Sequence, residues 1–81
     1  MLKVKHEIRY SKLKIARIRA DISQKELSDR SGVPVKSIGN LEQLRRDINH
    51  CRVDIVFRIA QALDCSMEDI LDVDKISYKN Q

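Results

Sequence analysis

From Ser11 onward, apolar residues recur at helical spacing, and the recurrence breaks at a few polar or glycine positions. Leu13, Ile15, Ala16, Ile18 and Ala20 make an inward stripe that predicts a first helix ending at Asp21. Aspartate is one of the few residues that tolerate the left-handed position at a helix end. Ser23 then fits an N-cap, with Glu26 spaced for a capping box and Ile22 and Leu27 for a hydrophobic staple. A second helix over about 24–31 stops at Gly32, whose freedom at positive φ suits a turn. Pro34 starts a third helix reaching about Leu44, because a first-turn proline forfeits no hydrogen bond. After a polar connection over 45–51, a fourth helix from about Arg52 to Leu63 is expected to bury Val53, Val56, Phe57, Ile59, Ala60 and Leu63. A short fifth helix is expected from Met67 to about Leu71. Asp64, Cys65, Ser66, Asp69 and Ile70 repeat the order of Asp21, Ile22, Ser23, Glu26 and Leu27, so one helix-joining device is used twice.

Residues 1–10 follow a different rule. Leu2, Val4, His6, Ile8 and Tyr10 alternate with Lys3, Lys5, Glu7 and Arg9, which is the period of a strand. One strand needs a partner, and Ile76 and Tyr78 near the other end also alternate. A flexible basic arm is the other reading, and both stay open. The division expected is a basic arm or strand over 1–10, a helical domain over 11–72 and a tail over 73–81.

Eighty-one residues with three aromatics and no Trp suit one aliphatic helical core. The 16 Lys and Arg against 12 Asp and Glu give net +4, a weak pointer to a polyanion by itself. Its distribution says more: residues 1–20 carry seven basic groups and one acidic, whereas 66–81 carry two basic and four acidic. A basic first helix raises the possibility of a membrane surface, but the stripe lacks bulky aromatics and no apolar run is long enough to span a bilayer. Cys51 and Cys65 have no CxxC spacing, which fits a reducing cytoplasm; with His6 and His50 they lack paired zinc-ligand spacing. No metal or cofactor is expected. With no nucleophile–base pair and no phosphate-cradling glycine loop, neither is an enzyme.

The candidate chemistry lies in the segment 24–43, QKELSDRSGVPVKSIGNLEQ. With Leu27, Val33, Ile38 and Leu41 turned inward, the third helix leaves Val35, Lys36, Gly39, Asn40 and Gln43 outside. A small, polar helical face on a basic protein of this size suits the major groove of DNA. Lys36 can donate to guanine O6 and N7, Asn40 can pair with adenine, and Val35 can pack on a thymine methyl. Gly39 either lets the helix approach something closely or is an exposed position of no consequence, at a cost of about 1 kcal/mol relative to Ala.

The segment SQKELSDRSGVPVKSIGNLE, followed by IAQALDCSMEDIL, resembles the phage-repressor type of helix-turn-helix, the Cro and lambda-repressor group. The resemblance covers roughly 11–71. It implies an all-α, compact five-helix domain that binds double-stranded DNA, usually as a homodimer, with its third helix in the major groove. Carried over by motif position, Lys36 and Asn40 are base contacts and Gln24 and Gln43 phosphate contacts; Val35 is expected to join the base contacts and Ser37 the phosphate contacts. Arg45 and Arg46 extend the same loop. Arg17 and Glu42 stand where many members form an ion pair between the first and third helices. Departures are Ser28 in place of a usual Ala, Ser31 in place of an apolar residue, and a following loop about three residues longer around Asp47 to Asn49, without the usual Asn-Gly. The function implied is transcriptional regulation, of the repressor kind. The alternative is an antitoxin or regulatory module whose main surface binds another protein, for which Met67, Ile70, Leu71, Val73, Ile76 and Tyr78 offer apolar contacts.

Overall fold

The structure, a computed structural model, describes residues 11–72. The strand or arm expected over 1–10, its pairing with the C-terminal end, and the tail over 73–81 lie outside the described residues. Within them the order is α1 (Lys12–Arg19), α2 (Gln24–Ser31), α3 (Val35–Glu42), a 3-10 turn (Ile48–His50), α4 (Val53–Ala62) and a second 3-10 turn (Met67–Asp69). The expected count of five helices is corrected to four α-helices among the described residues. The segment from Met67 makes a single turn because only three residues separate the Ser66 cap from Ile70, which is anchored in the core, and one turn is too short to propagate.

Local chemistry places most boundaries. Ser11 caps α1 by accepting the Lys14 N–H at 2.9 Å, and Arg17 and Arg19 in its last turn suit the negative end of the helix dipole. Asp21 follows at φ 61°, with its N–H donating to the Ile18 carbonyl and that of Ile22 to the Arg17 carbonyl. This is a Schellman ending in which aspartate stands for glycine. Asp64 does the same after α4, at φ 57°. Ser23 accepts the Glu26 N–H at 3.0 Å, but the expected reciprocal bond is replaced: the Glu26 carboxylate turns to Arg30 at 2.5 Å. The full capping box forms instead at Ser66 and Asp69.

Helix α3 is shorter than expected. Pro34 is its cap rather than its first residue, and it ends at Glu42 because Leu44 takes a left-handed φ of 61°. The N–H of Arg45 then reaches back to the Asn40 carbonyl at 2.9 Å, a third Schellman ending.

The core is Leu13, Leu27, Val33, Ile38, Leu41, Val56, Ile59, Ala60, Leu63 and Ile70. Helix α2 packs on α3 and α4, while α1 packs on α3 and the second 3-10 turn. Two expectations fail here. On α1, Ile15, Ile18 and Ala20 are exposed, Ile18 at 57%, because the inward face is Leu13, Ala16 and the partly buried Arg17. On α4, Val53 and Phe57 are 68% and 51% exposed, since the buried stripe runs Val56, Ile59, Ala60 and Leu63. Of the apolar residues the sequence suggested as a partner surface, Ile70 is buried in the core, and Met67 and Leu71 are partly buried against it.

The long connection after α3 is anchored at both levels of structure. Ile48 packs against the core, and the Asn49 carboxamide clamps the backbone of Asp72, donating to its carbonyl at 3.0 Å and accepting from its N–H at 2.9 Å.

Candidate nucleic-acid interface

Helix α3 divides clearly between a buried and an outward face. Ile38, Leu41 and Glu42 are buried, whereas Val35 and Lys36 are exposed and Asn40 is half-buried. Lys36, Asn40 and Gln43 are spaced i, i+4 and i+7, so they line one side of the helix and its cap. Seven residues at a helical rise span about 10 Å, against a major groove about 12 Å wide. Ser37 lies half-buried on the flank of that face.

Glu42 is 4% exposed, and its charge is met from two directions. Arg17 of α1 donates through Nε to Oε2 at 2.6 Å and through Nη2 to Oε1 at 3.1 Å. Its Nη1 also donates to the Ile22 carbonyl at 2.8 Å, so the guanidinium ties α1, α3 and the α1–α2 joint together. The hydrogen bond to Glu42, aided by its negative charge, raises the Arg17 pKa further against the opposing effect of burial. Gln24, the first residue of α2, donates from Nε2 to Oε1 of the same carboxylate at 3.0 Å. Its own Oε1 lies 3.9 Å from where a Cβ of residue 39 would stand, so the Gln24 carboxamide rests against the bare backbone at Gly39. That contact is ordinary in length. The neighbour of Gly39 is therefore a side chain of this protein at an ordinary distance, which leaves room for a methyl group.

Cations divide into two populations. On α2 they are matched within the helix, Lys25 with Asp29 at 3.1 Å and Arg30 with Glu26. Among the described residues Lys36, Arg45 and Arg46 form no ion pair, and all three are exposed. Both loop arginines are fixed by their backbone, since the N–H groups of Arg45 and Arg46 converge on the Asn40 carbonyl at 2.9 and 3.3 Å. Sequence reasoning placed these arginines in a loop but missed what sets it. No glycine marks the turn in the sequence, because Leu44 itself takes the left-handed conformation that ends α3.

Of the cysteines and histidines weighed as zinc ligands, His6 lies outside the described residues. Among the described residues no three His, Cys, Asp or Glu side chains gather where they could hold a metal ion. Burial and the nearby Asp69 and Asp64 push the Cys65 thiol up, away from thiolate chemistry. No helix among the described residues is long and apolar enough to cross a membrane.

A helix-turn-helix family profile matches residues 13–70. The chain belongs to that family, and the fold and the family together define a DNA-binding transcription regulator. No curated protein and no solved structure matches the chain.

Proposed function

We propose that the protein is a sequence-specific repressor of the phage or mobile-element type that reads the major groove with α3, acting by binding alone. Bound in the cytoplasm as a homodimer on a roughly palindromic operator, it excludes polymerase sterically. The observation that carries this reading is the face of α3: Lys36 and Asn40 are presented side by side, with Arg45 and Arg46, which form no ion pair among the described residues, at its end. Lys36, Asn40 and Val35 meet base edges; Gln24, Ser37, Gln43, Arg45 and Arg46 meet phosphates. Residues 1–10 carry Lys3, Lys5 and Arg9 against Glu7, a net positive charge that suits the same partner.

Selection of bound duplexes from a random pool tests the reading directly, and half-sites recurring about 34 Å apart would report the twofold dimer. On the selected operator, Asn40→Ala is expected to cost about 1 to 3 kcal/mol and to relax one base position, whereas Gln24→Ala weakens all sequences alike. Equal losses on operator and random DNA for Asn40→Ala would remove the base-reading assignment.

A second reading rests on Val53 and Phe57, exposed one turn apart on α4. Such a pair suits a protein contact, either a second copy or the partner of an antitoxin-like module. A flat dependence of binding on salt would favour the partner protein over DNA.

A further inference from the structure

We propose that Glu42 is a positioning residue for DNA binding, acting through Gln24. This rests on the DNA reading above and deepens it. Glu42 is buried and cannot reach a duplex, yet its Oε1 receives both Arg17 Nη2 and Gln24 Nε2. The carboxylate therefore fixes the Gln24 carboxamide in one orientation, with its oxygen laid against Gly39 and one N–H of Nε2 left over. Gln24 is the first residue of α2 and stands against the middle of α3, beside the helix face that carries Lys36 and Asn40. The leftover N–H is a neutral donor available to a phosphate flanking the bases that α3 reads.

A glutamine free on a surface loses several rotamers when it binds, and that ordering weakens binding. In this protein Glu42 orders Gln24 before the duplex arrives. Arg17 in turn holds Glu42, so a buried ion pair that touches no DNA sets the aim of a side chain that does. The two donors share one acceptor oxygen, which couples the packing of α1 against α3 to the phosphate contact at the start of α2.

The test uses the whole chain and random-sequence duplex DNA as the probe. In the native protein, Gln24→Ala is expected to weaken binding by about two- to tenfold, the range for an ordered polar side chain. Replacing both charges together, Arg17→Met with Glu42→Met, removes the acceptor without stranding a buried charge, and such exchanges often keep or raise stability. This variant is expected to lose the same factor in affinity, and adding Gln24→Ala to it should change nothing further. An equal loss from Gln24→Ala in both backgrounds overturns the proposal, because Gln24 would then act without Glu42. A readout on the native protein alone guards against a misfolded variant: NMR order parameters of the side-chain amides. Gln24 should be as ordered as the backbone, and Gln61, exposed on α4, should not be. Equal mobility of the two overturns the positioning role while leaving DNA binding intact. An ordered Gln24 in a native protein that binds no duplex overturns the DNA reading, and the positioning role falls with it.

Discussion

Single residues in this protein carry identifiable costs. Leu44 is left-handed at φ 61°, a conformation that disfavours any residue with a Cβ, by about 1 to 2 kcal/mol. Gly39 sits inside α3 and costs about 1 kcal/mol relative to Ala, with space for the missing methyl. Leu44→Gly and Gly39→Ala are each expected to raise unfolding stability in urea by about 0.5 to 1 kcal/mol. A loss of stability for Leu44→Gly would mean that the half-exposed leucine makes a contact worth more than its strain. Asp69 gives the pH-dependent counterpart. The backbone N–H of Ser66, then its side chain, and the nearby Lys12 hold the Asp69 carboxyl below its ordinary pKa of 3.8. A group depressed on folding supports the native state above the unfolded pKa and loses that support as pH falls toward the folded one. The thermal midpoint is expected to decline as pH drops below about 4, and part of that decline should vanish in Asp69→Asn. An unchanged acid profile in the variant would show that the cap adds nothing.

At the scale of elements, what could be read from the sequence was local. Ser23, Gly32, Asp21 and Asp64 act within a turn of their own position, so their roles follow from spacing. The direction in which α1 faces is not local. Its apolar residues lie on several sides, and the buried side is chosen by Arg17, whose partner Glu42 is 25 positions away. A hydrophobic pattern therefore put Ile15 and Ile18 inside, where the structure puts a guanidinium. The same limit applies to the 45–51 connection, which reads as a polar loop although Ile48 packs against the core and Asn49 binds a backbone 23 positions on. The candidate site shows both cases: the outward face of α3 follows from period, whereas the capture of Gln24 by Glu42 needs three elements in place. Asn49→Ala breaks two hydrogen bonds to Asp72 and is expected to cost about 1 to 3 kcal/mol in thermal or urea unfolding. A change below a few tenths would show that solvent replaces the clamp.

For the whole molecule, net charge is a poor guide to how strongly salt opposes DNA binding. Of its cations, Arg17 is spent on a buried carboxylate, and Lys25 and Arg30 lie beside their own acids. Counterion release counts only the charges that meet phosphates, each steepening the fall of log affinity with log salt by about 0.9. Lys36, Arg45 and Arg46 are the exposed cations at the α3 face that no described acid neutralises. Arg45→Ala and Arg46→Ala should each flatten the salt slope by about 1 for every duplex tested. Lys25→Ala removes the same formal charge from the molecule but from a site already matched by Asp29, and the slope should stay within error of the native value. Gln24→Ala, a neutral donor, should lower affinity without touching the slope. If Lys25→Ala flattens the slope as much as Arg45→Ala does, the duplex responds to total charge, and the assignment of the Arg45–Arg46 loop as a phosphate clamp fails.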